Sequence, residues 1–331
     1  MNKRKLIASA LLALALTAAP ALAADFTIKF SHVVAPGTPK GKAADKFKEL
    51  GEKYTEGKVA IEVYPNSQLY KDKEELEALQ LGAVQMLAPS LAKFGPLGAK
   101  EFEAFDLPFM FPTKDALYKV TKGDVGKGLL TKLEDKGILG LAFWDNGFKI
   151  MSANSPLKTP DDFLGLKMRI QSSKVLEAEM KALGAVPQVM AFSEVYQALQ
   201  TGVVDGTENP PSNMYTQKMH EVQKHATISN HGYLGYAVIV NKTFWEGLPA
   251  DIRTQLEKAM AEATDYANSI AQEENDKALQ AMKDSGKTEF HDLTDDERAK
   301  WMEALKAVYE VAAARTGPEI IEAMQKAAAG N

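Results

Sequence analysis

The chain has 331 residues, of which 45% are hydrophobic and 25% are charged, and its formal net charge is −5. This balance excludes disordered, collagen-like and polytopic membrane proteins, and the length suggests about two domains. The absence of cysteine excludes disulfides, thiolate metal sites, iron–sulfur clusters and cysteine nucleophiles. A mildly acidic chain without basic blocks is also a poor candidate for binding nucleic acid or anionic membranes.

The first 23 residues have the pattern of a secretory signal peptide. Three cations at positions 3–5 precede an apolar run at 6–19, and Ala21-Leu22-Ala23 supplies the small residues of a cleavage site. Neither this run nor any later one is long enough to span a bilayer as a helix. We predict cleavage after Ala23, which removes the three cations and leaves 308 residues with a net charge of −8. An exported chain without an anchor needs an outer membrane to retain it, so we expect the periplasm of a Gram-negative cell.

Strand and helix patterns alternate over residues 26–90. Alternating apolar residues predict strands at 26–30 and 59–63, helical spacing predicts a helix over 43–54, and an apolar run at 84–88 predicts a third strand. Asp72 and Glu75 predict the N-cap and capping box of a second helix. This β-α-β-α-β order indicates a sheet covered by helices, in which ligands bind beyond the carboxyl ends of the strands. Ser90 lies in the loop at such an end.

The same alternation returns over residues 138–211. An apolar run at 138–144 is broken by Asp145-Asn146-Gly147, and a strand resumes at 148–153. Apolar and cationic residues alternate over 166–170, which predicts a strand that carries Arg169. After two short helices, a strand at 203–207 runs into the sequence Glu-Asn-Pro-Pro at 208–211.

The longest predicted element is a helix over residues 250–284. Apolar residues keep helical spacing through these 35 residues without glycine or proline. An unbroken helix of this length spans about 52 Å, more than one domain of ~150 residues needs. A coiled coil would require more a and d heptad positions than are present. We therefore predict that the helix lies along two lobes and that a cleft separates them.

The sequence contains no recognisable catalytic or metal-binding motif. The glycine-rich run at 123–128 lacks the Lys-Ser/Thr pair of a phosphate-binding loop, so we predict a surface loop there. No G-x-S-x-G elbow occurs, and His220 and His225 are not spaced as in an H-E-x-x-H site.

Four polar or aromatic residues remain as candidates for binding, each with an ordinary structural reading beside the functional one. Arg169 offers a planar fork that fits a carboxylate, but an ion pair within the protein explains it equally well. The ordinary reading of Lys149 is an exposed surface cation. Asn209 would ordinarily form a turn, and Phe192 would ordinarily belong to the hydrophobic core. The residues alone leave these alternatives open.

The sequence resembles the solute receptors of TRAP transporters of the DctP type. The longest shared motif is the run AFSEVYQALQTGVVDGTENP at 191–210, and shorter ones lie at 65–69, 105–109 and 165–169. The resemblance covers essentially the whole mature chain. It implies an α/β fold of the two-lobed periplasmic binding protein (Venus-flytrap) class, closing by a hinge, with the long helix spanning both lobes.

The resemblance also implies how the lobes and the partners are organised. After the signal peptide at 1–23, lobe I comprises residues 24–147, 236–274 and 301–331, and lobe II comprises 148–235 and 275–300. Such a receptor hands its solute to the membrane subunits of a permease that is driven by an ion gradient. We expect a monomer that is not an enzyme and that uses no cofactor or metal.

Site residues follow from the resemblance position by position. Arg169 matches the family's carboxylate-binding arginine, Asn209 the asparagine of its ENP motif, and Phe192 the aromatic residue that packs on the solute. Ser90 falls on a first-lobe loop that lines the cleft. Lys149 stands where many members carry a second arginine, and a lysine is a point charge rather than a fork.

The sequence is most similar to the dicarboxylate branch of the family, through residues 31–34, 146–152 and 231–236. The similarity implies a C4-dicarboxylate solute such as succinate, malate or fumarate. Asn213 and Tyr236 would then bind the second carboxylate or a hydroxyl, and His32 is a further candidate. The alternatives are a receptor of the same fold for a monocarboxylate, 2-oxoacid or sugar acid, a secreted enzyme acting on organic acids, and the sensory module of a two-component system.

Overall fold

Two β-sheets form the framework of the computed structural model, which describes residues 24–330. The predicted signal peptide, residues 1–23, lies outside the described residues. The strands are β1 (Phe26–Ser31), β2 (Val59–Tyr64), β3 (Met86–Leu87), β4 (Ile138–Phe148), β5 (Ile150–Ala153), β6 (Lys167–Ile170), β7 (Val186–Val189), β8 (Gly206–Asn209), β9 (His225–Ile228), β10 (Tyr233–Asn241) and β11 (Glu289–Asp292).

Helices cover the sheets and connect their strands. They are α1 (Pro39–Tyr54), α2 (Glu75–Gln80), α3 (Lys114–Lys122), α4 (Asp124–Thr131), α5 (Lys174–Ala182), α6 (Val195–Gln200), α7 (Pro211–Thr216), α8 (Lys242–Gly247), α9 (Ala250–Asp284), α10 (Asp295–Thr316) and α11 (Pro318–Ala329). Within residues 24–330, no helix is both long enough and apolar enough to cross a membrane.

Both sheets are mixed. The first has the order β2-β1-β3-β10-β4, with β1 parallel to β2 and β3, and with β10 antiparallel to β3 and β4. The second has the order β11-β9-β5-β8-β6-β7, with β6 parallel to β7 and β8, and with β5 antiparallel to β8 and β9. The predicted α/β class is confirmed.

The chain crosses between the two sheets in extended segments. β4 ends at Phe148 in the first sheet and β5 begins at Ile150 in the second, so Lys149 is the residue between them. The return crossing is the segment 229–232 between β9 and β10. The Lys149 amide donates to the carbonyl of Gly232 at 2.9 Å, which ties the two crossings together.

The long helix α9 runs along elements of both sheets, as predicted. It packs against α1 and β4 of the first sheet and against α7, which follows β8 of the second. Small buried residues at Ala259, Ala263, Ala267 and Ala271 recur every four positions and keep one narrow face of the helix against its neighbours. Near its carboxyl end, Asn275 accepts from the Ser212 amide at 2.9 Å and thereby fixes the start of α7.

Two local predictions differ from the structure. Residues 124–131 form the helix α4 rather than a surface loop, because Asp124 places an acid in its first turn and Leu129 gives it a buried face. The predicted lobe boundary between residues 235 and 236 falls inside β10, because β10 pairs with β4 from Tyr233 onwards.

Candidate functional site

Side chains carried by both sheets enclose a narrow polar cavity. Several of them follow the carboxyl ends of parallel strands, which is where ligands bind in open α/β sheets. The lining residues are Val33, Val34, Lys40, Asp72, Ser90, Lys93, Arg169, Gln171, Phe192, Asn209, Asn213, Leu234 and Tyr236. Six of the eight residues predicted from the sequence are therefore brought together: Ser90, Arg169, Phe192, Asn209, Asn213 and Tyr236.

Contacts between the two sheets close the cavity. Ser90 follows β3 of the first sheet, and its hydroxyl donates to the side-chain carbonyl of Gln171, which follows β6 of the second. Asp72 accepts a hydrogen bond from the Phe192 amide at 2.8 Å. A solute held in this cavity would thus be surrounded by groups from both sheets.

Arg169 lies at the centre of the lining and is 1% exposed. Its Nε and Nη2 donate to the carbonyl of Met190 at 3.1 and 2.8 Å, which uses two of the five guanidinium N–H groups. Its Cζ lies 5.8 Å from the centre of the Phe192 ring. Burial lowers the pKa of Arg169, and the charges of Asp72 and Glu208 offset part of that effect. The remaining N–H groups are available to a carboxylate in the cavity.

Two asparagines add neutral donors beside Arg169. Asn213 Nδ2 donates to Asn209 Oδ1 at 3.2 Å, which orients the Asn209 amide. Asn209 Nδ2 is buried and has no hydrogen-bond partner among residues 24–330. A buried donor without a partner costs about 1–3 kcal/mol, so an acceptor in the cavity would stabilise this arrangement.

Asp72 was predicted to cap a helix, and this prediction is wrong. α2 begins at Glu75 and has no side-chain cap. Asp72 instead contacts the Lys93 ammonium at 2.6 Å, and Glu75 contacts the same ammonium at 2.7 Å. Burial would raise the pKa of Asp72, but the charges of Lys93 and Arg169 lower it to about 2. A buried ammonium binds this carboxylate more strongly than the amides of a helix terminus would.

Lys40 and Lys93 are cavity cations that sequence reasoning missed. The Thr38 hydroxyl accepts from the Gly41 amide at 3.1 Å and Pro39 is the first residue of α1, so the helix start buries Lys40 in its first turn. A signal was present, because the dipole of a helix disfavours a cation in its first turn. A lysine that stands there directly after Thr-Pro therefore indicates a role other than helix stabilisation.

Lys149 is not among the residues that line the cavity, and its role in binding the solute stays a prediction. Its side chain is fully buried and contacts Glu208 at 2.7 Å, in a cluster that also contains Asp106, Glu179 and His231. Burial would raise the pKa of Glu208, but Lys149 lowers it to about 2. Lys149 stays outside the lining because it lies at a crossing between the sheets, where the buried carboxylate of Glu208 compensates its charge.

His32 is also outside the lining residues. It is 1% exposed and packs edge-on against the ring of Phe30, with 6.4 Å between ring centres. Burial and the charge of Lys40 lower its pKa to about 3. His32 is therefore neutral and buried beside Phe30, and its contact with the solute stays a prediction.

A larger and more open groove lies on the outer side of β4, beneath α9 and beside α3 and α4. Leu130, Phe143 and Met260 contribute apolar lining, with charged residues at the rim. None of the buried polar atoms that lack a partner within residues 24–330 belongs to this groove. The closed polar cavity is therefore the better candidate for specific binding of a small solute.

Comparison with known proteins identifies the family. Residues 30–316 match the model of the bacterial extracellular solute-binding proteins, family 7, known as DctP. The chain belongs to the DctP family. The C4-dicarboxylate-binding periplasmic protein DctP of Rhodobacter capsulatus is 76% identical to it over 98% of this chain and 97% of that protein.

Other DctP proteins extend the comparison to structure. The C4-dicarboxylate-binding periplasmic protein DctP of Shewanella loihica is 45% identical over 91% of this chain and 89% of that protein. A TRAP periplasmic solute binding protein from Sulfurospirillum deleyianum, solved with bound succinate, superimposes with a TM-score of 0.88. It is 48% identical and covers 91% of this chain and 99% of its own. The predicted TRAP receptor fold is confirmed.

Proposed function

We propose that this DctP-family protein is a periplasmic receptor for a C4-dicarboxylate such as succinate, malate or fumarate. It delivers the solute to the membrane subunits of a TRAP permease driven by an ion gradient. The observation that carries the proposal is Arg169, a buried guanidinium in a closed cavity with N–H groups left for a carboxylate. The dicarboxylate itself is supported by the relatives that carry this solute in their names.

The proposed cycle uses hinge closure between two lobes built on the two sheets. We propose that lobe I comprises 24–147, 233–274 and 301–330 and that lobe II comprises 148–232 and 275–300. The boundary at 233 differs from the one expected from the sequence, because β10 begins there in the first sheet. Contacts across the gap favour closure. Lys71 contacts Glu194 at 2.8 Å, in addition to the bonds that close the cavity. A solute that touches both lobes binds the closed state more tightly and shifts the population towards it.

Burial explains why closure is useful for binding an anion. Charges interact more strongly when water is excluded, because the local dielectric constant is lower. The cost of desolvating the solute is then offset by Arg169 and the neutral amides beside it. The closed form is also the state that a permease would have to recognise in order to accept loaded receptor.

A ligand-dependent melting screen tests the proposal. The mature protein, freed of bound solute by unfolding and refolding, is heated with C4-dicarboxylates, monocarboxylates, 2-oxoacids and sugar acids. A solute present at a hundred times its Kd stabilises the fold by about 2.7 kcal/mol. We expect succinate, malate and fumarate to raise the melting temperature by several degrees. Stabilisation by the other classes alone would overturn the dicarboxylate assignment.

Two further parts of the proposal need separate measurements. We propose that the protein binds its solute without turning it over, so the acid recovered after long incubation should be unchanged. We also propose a monomer, which light scattering after size-exclusion chromatography measures directly. A new product would favour the alternative of an organic-acid enzyme, and a dimer would contradict the monomer.

A further inference from the structure

Two buried cations in the cavity lack a carboxylate partner among residues 24–330. Arg169 and Lys40 both line the cavity and are 1% exposed, and neither forms a salt bridge within the described range. Lys93 differs from them, because Asp72 and Glu75 already neutralise its charge. A buried charge without a partner is costly, so both sites favour an anion.

The surroundings of Lys40 leave it free to bind such an anion. Its ammonium donates to the carbonyl of Ala88 at 2.9 Å and lies 3.8 Å from the centre of the Tyr236 ring. An ammonium has three N–H groups, so the bond to Ala88 leaves two. Lys40 belongs to α1 of the first sheet and Arg169 to β6 of the second. One cation from each lobe thus suits a solute with a carboxylate at each end.

We propose that Lys40 recognises the second carboxylate of the solute. The inference rests on the proposed function, which supplies the dicarboxylate. Lys40 then sets selectivity for dianions over monoanions, because a solute without the second carboxylate leaves this ammonium buried and unpaired.

Charged and titratable groups surround Lys40 in the closed cavity. The charged or titratable groups that face it are Lys93, Asp72, Glu75, Arg169, His32 and Tyr236. Burial and the charge of Lys93 lower the pKa of Lys40 to about 7, although Glu75 and Asp72 offset part of this. His32 stays neutral and Asp72 stays ionised near that pH. A bound carboxylate favours the charged ammonium and therefore raises the pKa of Lys40.

Calorimetry on three proteins tests the role of Lys40. Succinate and its monoamide, succinamate, are titrated into wild type, Lys40→Met and the control Lys46→Met, whose lysine lies on the same helix and pairs with Glu49 near the surface. Methionine has a similar length and no charge. We expect Lys40→Met to lose about tenfold to hundredfold in succinate affinity. Succinamate affinity should change by no more than about threefold, and Lys46→Met should bind both as wild type does.

If Lys40→Met does not fold, Lys40→Gln replaces it, because it also removes the charge and keeps a side chain of similar length. A folded variant that loses equal affinity for both solutes, or that binds succinate as wild type does, would overturn the assignment of Lys40. A wild type that binds no dicarboxylate would overturn the proposed function instead.

Discussion

Replacing Arg169 by lysine separates the contribution of charge from that of shape at the solute site. Arg169 serves two partners, because Nε and Nη2 donate to the Met190 carbonyl while Nη1 remains for a carboxylate. A lysine keeps the positive charge but has a single nitrogen, so it cannot fill both positions as a planar fork does. We expect Arg169→Lys to fold and to bind succinate more weakly.

The size of the loss follows from the bonds at stake. A hydrogen bond to a charged group contributes about 1.5–3 kcal/mol, which corresponds to a tenfold to hundredfold change in affinity. If the lysine abandons the Met190 carbonyl, a buried acceptor loses its partner at a further cost of about 1–3 kcal/mol. That second cost lowers the free energy of unfolding of the solute-free protein rather than the affinity for the solute.

Calorimetry with succinate measures the affinity, and Arg298→Lys provides a matched control. Arg298 also donates to a backbone carbonyl, that of Ser229 at 3.0 Å, and lies 5.7 Å from the centre of the Phe109 ring, but it does not line the cavity. The control should keep succinate affinity within about twofold. Wild-type affinity in a folded Arg169→Lys protein would refute the role of Arg169.

Three further predictions concern the buried charges behind the cavity and the closing motion. Lys149→Met should lower the free energy of unfolding by about 3–5 kcal/mol, because Glu208 loses its buried partner. Denaturant titration measures this change. Unchanged stability together with a selective loss of succinate binding would instead show that Lys149 binds the solute. Burial raises the pKa of Asp106 from 3.8 to about 7, although Lys149 opposes it. Between these values the folded state holds a proton that the unfolded state has released, so stability should fall as pH rises, by on the order of 1 kcal/mol per unit. Asp106→Asn should make this slope smaller in denaturation at pH 5 and 7, whereas Glu75 and Glu179, whose pKa values burial also raises, keep a slope of the same sign; a wild-type slope in the variant would contradict the reasoning. Saturating succinate should decrease the radius of gyration in small-angle scattering, whereas identical curves for verified free and loaded protein would contradict closure.

Elements with a long or regular pattern could be predicted from the sequence. The helix at 250–284 was predictable at full length, because 35 residues without glycine or proline keep helical spacing. The strand that carries Arg169 was predictable from five alternating residues. Short patterns were less informative: Asp72 and Glu75 match a capping box, but a buried lysine elsewhere in the chain binds both carboxylates.

The same limit applies to the solute site. That Arg169, Asn209 and Phe192 come together in one cavity was predictable, because they lie in motifs that the family shares. Lys149 lies in such a motif as well, yet its charge is compensated by Glu208. Lys40 lies in no motif that we had connected with binding, and it enters the cavity only because the start of α1 packs beside Ala88 and Tyr236.

The sequence by itself determined the order of strands and helices, the long helix and the family, because each depends on local pattern or on motifs read in order. The tertiary structure alone decided which lysine faces the cavity. Whether a cation is available to a solute depends on its burial and on carboxylates distant in sequence, and neither is visible along the chain. Glu208 neutralises Lys149, and Asp72 with Glu75 neutralises Lys93. Lys40 has no such partner among the described residues, and its charge remains for the solute.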